Sequence, residues 1–350
     1  MARIPVHILT GFLGSGKTTF LNDLLKDEAF ARTAIIVNEF GETGLDHLFM
    51  TAREDAVIEL SNGCLCCTIR GELADTLAEL PHAGIDRVIV ETTGLADPVP
   101  VLQAIIADPR VSARFEAASL ITLVDALNAP LQLDEHREAV RQVALADLLL
   151  ISKLDLAPAQ DRAARRDAIA ARLRALNAVA PILERDETPL SPVLMDPLRL
   201  RAAALLPSVQ PHDHHDHQRN HDVSRHGEHI RSIVLKSEKP MPRRALDAFC
   251  ELLASAHSAH LLRLKGLVSI EGQEGPLIVH GIHGLFHEPE QRRAWPDADR
   301  TTRIVVILRD MDPDFVAKLF SGFANLPRID TPDRAAMLDN PLAIGGFTGR

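Results

Sequence analysis

The sequence predicts an α/β protein, a mostly parallel sheet with helices on both faces, followed by a smaller α+β domain. Three observations point there. Short, fully apolar runs alternate with segments of helical period through the first half of the chain, which is how strands covered on both faces read. The first of these runs leads into a Gly-rich turn, Gly11-Phe12-Leu13-Gly14-Ser15-Gly16-Lys17-Thr18, that opens a helix. Beyond a histidine-rich stretch at 207–229, the rhythm changes to strands in succession with a helix near each end.

The elements follow in order. Ile4–Leu9 is a buried strand, and Lys17–Lys26 has helical spacing. Ala34–Val37 and Val57–Leu60 read as strands, the second leading into a cluster of cysteines. Ile69–Leu80 puts Leu73, Leu77 and Leu80 on one helical face and stops at Pro81. Arg87–Val90, Leu120–Val124 and Leu148–Ile151 are further strands, with helices at His136–Leu145 and Arg162–Leu176. In the second half, strands are predicted at Ile230–Leu235, Leu261–Glu271, Leu277–His287 and Arg303–Leu308. Helices are predicted there at Pro242–His257 and Asp314–Phe323. The resulting division is a nucleotide domain over 1–206, a linker over 207–229, a second domain over 230–330 and a tail over 331–350.

Composition bounds what such a chain does. Its 350 residues suit about two domains of roughly 150 residues each. Aromatics make up 4% with no Tyr, so the core must be aliphatic. The net charge of −10 argues against nucleic acid, whose phosphates need a basic face. No apolar run is long enough to cross a bilayer, and no secretory leader pattern opens the chain. Four cysteines, three of them within four residues, make no disulfide framework. A reducing, cytoplasmic setting without membrane association is expected.

The Gly-rich turn fits G-x-x-x-x-G-K-[ST] between a strand and a helix. Its glycines, Gly11, Gly14 and Gly16, let backbone N–H groups, including that of Ser15, wrap phosphates at a helix N-terminus. Lys17 would reach the terminal phosphates and the Thr18 hydroxyl would hold Mg²⁺. Such a loop needs an acidic neighbour at a strand end. Glu91 supplies it, and the Gly94 N–H is placed to sense the terminal phosphate. Ser152-Lys153-Leu154-Asp155, after a late strand, is the pattern that reads guanine. Asp155 would accept from the base, the Lys153 stem would lie along it, and Ser152 stands where Asn is commoner. GTP is therefore the expected nucleotide.

Cys64, Cys66 and Cys67 offer three thiolates, a set suited to Zn²⁺ and also to Co²⁺ or Cu(I). A redox dithiol and plain packing cysteines are the competing readings. A fourth ligand is expected from the segment after the second strand, with Glu42 first and Glu39 second. That segment would move with the γ-phosphate and so link metal affinity to nucleotide. Asp46, just beyond it, is the candidate for orienting the attacking water. Lone Cys250, beside Phe249 and Leu253, reads as core. His280, His283 and His287 read as ordinary strand residues.

Together these motifs resemble the CobW-type metallochaperone GTPases. The matching stretches are Thr10–Thr19, Asn38–Glu42, Asn62–Cys67, Glu91–Pro98 and Ser152–Asp155. In the second domain they are Leu262–Gly266, Val279–His283 and Trp295. The resemblance implies a P-loop NTPase fold of the SIMIBI-like class with a CobW C-terminal-like domain. It adds Thr19 to the nucleotide-contacting residues. It implies slow, Mg²⁺-dependent GTP hydrolysis, Zn²⁺ or Co²⁺ at the Cys motif, and delivery of metal to a client protein. A nucleotide-dependent dimer is compatible with it. Val37 stands where some members carry a further Glu.

The linker holds seven histidines (212, 214, 215, 217, 221, 226 and 229) among aspartates, and is expected to collect divalent metal loosely. Two other classes of function remain readable. One is a zinc buffer or sensor built on this linker, and the other a P-loop phosphotransferase.

Overall fold

The computed structural model describes residues 3–37, 57–59, 66–81, 84–185 and 230–325, with the backbone course alone for 57–59 and 66–70. Within them the first domain is a seven-stranded sheet and the second a six-stranded one.

The first sheet comprises β1 (Ile4–Gly11), β2 (Thr33–Val37), β3 (Val57–Glu59), β4 (Arg87–Glu91), β5 (Phe115–Asp125), β6 (Leu148–Ser152) and β7 (Ile182–Glu184), in the order β3-β2-β4-β1-β5-β6-β7. Every pairing is parallel. Parallel strands need helical crossovers, and these cover both faces. They are α1 (Lys17–Leu24), α2 (Cys66–Glu79), α3 (Val99–Ala107), α4 (Pro109–Ser112), α5 (Ala129–Glu135), α6 (Arg137–Leu145) and α7 (Arg162–Leu176). One face buries Val6, Ile8, Ile36, Val88 and Val90 against Leu73, Leu77 and Leu102 of α2 and α3. The other buries Leu9, Ile35, Ile89 and Leu123 with Phe20 and Leu21 of α1.

The second sheet holds β8 (Ile230–Ser237), β9 (Leu261–Val268), β10 (Leu277–Ile282), β11 (Leu285–Phe286), β12 (Glu290–Gln291) and β13 (Thr302–Arg309). Its pairings are antiparallel, in the order β11-β10-β9-β13-β8 with β12 on β10. One face packs on α8 (Arg243–Ala256) and α9 (Pro313–Ala324), where Phe249 meets Phe320 edge-on at 5.4 Å. Cys250 packs at the margin of this core, as expected. The opposite face meets the first domain, so that Leu262, Ile282 and Ile307 join the cluster containing Leu145.

The expected strands and helices are found within a few residues, and α3, α4, α5, β7 and β12 are additions. β7 is three residues long, too short to show a period. One strand needs correction. Leu277–His287 is broken at His283 and Gly284, with φ of 50° and 79°, into a two-residue hairpin turn between β10 and β11. His283 is thus a turn residue. His280 is buried on β10 and stacks on His287 with ring centroids 4.7 Å apart. Burial, then His287 and Arg263, hold the His280 ring neutral by pushing its pKa well below the usual value.

Candidate nucleotide and metal site

Because all seven strands run the same way, their C-terminal ends share one edge, where open α/β sheets bind ligands. β1 ends in Gly11, β4 in Glu91, β5 in Asp125 and β6 in Ser152. The turn after β1 is built on positive φ at Gly11 (145°), Gly14 (73°) and Gly16 (92°), conformations open to glycine. Gly11 is also sterically required. A Cβ there would lie 2.5 Å from the Leu123 carbonyl oxygen and 2.7 Å from Ser15 Oγ.

Lys17 opens α1, and its Nζ donates to the Gly11 carbonyl at 2.9 Å. It therefore lies across the loop that would hold the phosphates. Thr18 Oγ1 donates to Glu91 Oε1 at 3.4 Å, which brings together the two groups expected around Mg²⁺. The Ser15 hydroxyl is 1% exposed and has no hydrogen-bond partner among the described residues, an orphaned polar atom inside the cradle. An oxygen-rich phosphate and its Mg²⁺ fit this donor and acceptor set. Thr19 is exposed on the first turn of α1. Gly94 packs so close to the turn that a Cβ on it would sit 2.6 Å from the Leu13 backbone nitrogen. The loop after β4 thus leans directly on the phosphate turn.

On the base side, Lys153 has a left-handed backbone (φ 63°) and starts the short 3₁₀ turn Leu154–Leu156, leaving Asp155 exposed. Lys153 Nζ donates to Asp125 Oδ2 at 2.9 Å. Asp125 also accepts from the Leu127 N–H and from Asn128 Nδ2. Burial alone would raise its pKa, but the Lys153 and Asn128 hydrogen bonds outweigh it and hold the carboxyl below the usual range. The Ser152 hydroxyl donates to the Ser15 carbonyl at 2.8 Å and lies 3.3 Å from that of Val124. It ties the base-side loop to the phosphate loop, a contact the motif reading does not include.

Cys66 and Cys67 begin α2, the next described element in the chain after β3. Across the sheet Val37 pairs with both Glu59 and Glu91, so β2, β3 and β4 end level. Glu59, the last residue of β3, therefore lies at the same sheet edge as Glu91. β3 stands two strands from β4, on the order of 10 Å at the usual strand spacing. Cys64, Glu39, Glu42, Asp46 and the histidine-rich linker lie outside the described residues.

Sequence reasoning passed over Asp125, Arg141 and Gln142. Asp125 closes an apolar strand, Leu120–Val124, and that strand-end carboxylate was a visible signal. Gln142 carries none, since it is one polar residue within a helix.

A strand, a phosphate-wrapping glycine turn, a carboxylate at the neighbouring strand end and a level parallel edge define a P-loop nucleotide-binding protein. The second, antiparallel domain narrows the class. The family model "CobW/HypB/UreG, nucleotide-binding domain" matches residues 5–184. The model "Cobalamin synthesis protein cobW C-terminal domain" matches residues 230–324. The chain belongs to the CobW/HypB/UreG family and carries the CobW C-terminal domain. It is 30% identical over 330 residues to the zinc chaperone YjiA of Escherichia coli, covering 92% of this chain and 99% of that protein. It is 34% identical over 351 residues to the zinc chaperone CobW of Pseudomonas aeruginosa, covering 91% of this chain and 90% of that one. The crystal structure of Zn(II)-bound YjiA GTPase from E. coli superposes with a TM-score of 0.67 at 26% identity, over 92% of this chain and 99% of that one.

Proposed function

We propose that this chain is a GTP-hydrolysing metallochaperone. It binds Zn²⁺ (or Co²⁺) through Cys64, Cys66 and Cys67, with Glu42 as fourth ligand, and passes the metal to a client protein that requires it. The observation that supports the reading is the level ending of β2, β3 and β4: Glu59, five residues before Cys64 in sequence, and Glu91 share one sheet edge. Nucleotide state and metal affinity are coupled across that edge through the segment after β2.

In the nucleotide site, backbone N–H groups of Gly14, Ser15 and Gly16 and the Lys17 ammonium bind the phosphates. Thr18 and Glu91 hold Mg²⁺, which neutralises phosphate charge when bound. Gly94 reports the terminal phosphate. Asp46 orients water. Ser152, Lys153 and Asp155 hold the guanine side. Thr19 contacts the nucleotide from the first turn of α1.

The working division stays at 1–206, 207–229, 230–330 and 331–350. Three thiols kept for a metal suit a reducing cytoplasm. Among the described residues no helix is long and apolar enough to cross a membrane. A nucleotide-dependent dimer belongs to the same reading. Leu13 and Leu95 are 53% and 52% exposed beside the phosphate turn, an apolar rim that a second copy would cover.

The test is a Zn²⁺ titration against a chromophoric competitor with GTP, with GDP and without nucleotide. GTP with Mg²⁺ is expected to tighten Zn²⁺ about tenfold, a coupling of about 1.4 kcal/mol. Changing all three cysteines to Ser abolishes the tight site. Metal affinity indifferent to nucleotide would sink the coupling, and phosphate moved from GTP to an acceptor would replace hydrolysis with a phosphotransferase.

A further inference from the structure

We propose that Gln142 is a positioning residue for GTP hydrolysis, and that helix α6 carries the state of the loop Glu91–Asp97 to the second domain through Arg263. This rests on the reading that the phosphate turn hydrolyses GTP.

Gln142 is 1% exposed in a helix whose other buried members are Ala139, Val140, Val143, Ala144 and Leu145. Its Nε2 donates to two backbone carbonyls, Gly94 and Ala96, each at 3.1 Å. Its Oε1 has no hydrogen-bond partner among the described residues. An apolar residue of the same shape would fill this place without burying an unsatisfied oxygen. The amide's contribution is therefore to fix where the loop lies. One helical position earlier, Arg141 Nη1 reaches Asp97 Oδ2 at 2.7 Å, while Asp97 Oδ1 accepts from the Val99 N–H at 3.0 Å. The loop is thus gripped by α6 on one side and pressed against Leu13 of the phosphate turn on the other. A shift of Gly94 toward a terminal phosphate must either break these bonds or carry α6 with it.

The far end of the same helix is held by the second domain. The Leu145 carbonyl accepts from Arg263 Nη1 of β9. Two residues on, Asp147 Oδ1 accepts from Arg263 Nη2 and from Lys265 Nζ, with all three side chains buried. Asp147 Oδ2 accepts from the Leu120 N–H at 2.9 Å, which joins the cluster to β5. Gln142 and Leu145 are three residues apart, about 4.5 Å along a helix axis. The grip on the phosphate-side loop and the grip of the second domain therefore fall within one helical turn.

The experiment is a double-mutant cycle on GTP turnover by the full chain. Gln142→Met keeps the volume and removes both donors. The triple change Asp147→Leu, Arg263→Met, Lys265→Met removes the charged cluster without leaving a buried charge unpaired. Gln142→Met is expected to lower kcat about tenfold while KM for GTP stays within about twofold, the signature of lost positioning and not of lost binding. The combined variant is expected to be no worse than the more impaired of its parents, because both act through one helix. Additive effects on kcat would overturn the proposal, as would equal loss in kcat and in the fraction of folded protein.

Hydrogen exchange on the unmodified protein gives a second reading that needs no variant to fold. Amides of Leu261–Val268 are expected to change protection between GDP and a non-hydrolysable GTP analogue, together with those of 93–97. Exchange in β9 that ignores the nucleotide overturns the link even if the triple variant is unfolded. Wild-type turnover is measured first. Its absence would overturn the GTPase reading and this proposal together, whereas turnover with additive variants overturns this proposal alone.

Discussion

The phosphate turn and the junction between the domains are built in opposite ways. The turn is mostly backbone: three glycines at positive φ, a bent chain, and one lysine folded over it. The junction is mostly side chain, with a buried aspartate between an arginine and a lysine from another sheet. A backbone-built site tolerates change according to the space around its Cα positions. A side-chain-built one tolerates change only if charge is kept balanced.

The largest effect is expected at the junction. Asp147→Asn leaves Arg263 and Lys265 buried without their carboxylate, at a cost of about 3–5 kcal/mol in unfolding free energy. Burial works to raise the Asp147 pKa, but Arg263 and Lys265 outweigh it and hold the carboxyl far below its usual value. A carboxyl depressed in the folded state stabilises fully above its unfolded pKa and loses that contribution as pH falls toward the folded one. Denaturant midpoints should therefore show the gap between wild type and Asp147→Asn above about pH 4, narrowing as acid is added below it.

Next in size is Gly11→Ala, which sets a methyl 2.5 Å from the Leu123 oxygen at a φ of 145°. Binding of a fluorescent GTP analogue should weaken on the order of 100-fold, as expected when a site's backbone is displaced. Gly14→Ala sharpens the contrast. None of the described residues lies within 4 Å of the added methyl, so the strain there is that of the left-handed φ of 73°, at about 1–2 kcal/mol. If Gly11 and Gly14 behave alike, the turn is not limited by space.

Asn177→Ala is expected to cost about 1–3 kcal/mol in stability. Asn177 Nδ2 lies within 3.2 Å of the Val143, Ala144 and Ala146 carbonyls that end α6. The smallest effect is expected from Lys153→Met. It removes a partly exposed ammonium from the buried Asp125 carboxylate, which keeps its bonds from Leu127 and Asn128, and should weaken nucleotide binding by about 1 kcal/mol.

The same contrast explains what could be read in advance. The glycine turn was legible because each of its residues answers a local backbone demand within eight consecutive positions. The parallel sheet was legible because its strands are apolar on both faces. The grip of Gln142 on Gly94 spans 48 residues of sequence, and that of Arg263 on Asp147 spans 116. No periodicity records a pairing at that distance. The Leu277–His287 strand misled for a different reason. His283 takes a positive φ without being glycine, and only Gly284 beside it hinted at a turn. The bond from the Ser152 hydroxyl to the Ser15 carbonyl spans 137 residues and was likewise beyond a local motif.

The setting of Cys250 has a practical side. Apolar burial beside Phe249 pushes its thiol up to about 12, so in the native protein it stays protonated and slow toward alkylating and disulfide reagents at neutral pH. It is silent in a thiol count. Under the proposed reading, the thiols that react in the folded chain would be those at positions 64, 66 and 67, and native-state labelling would gauge metal occupancy without mutating a single residue.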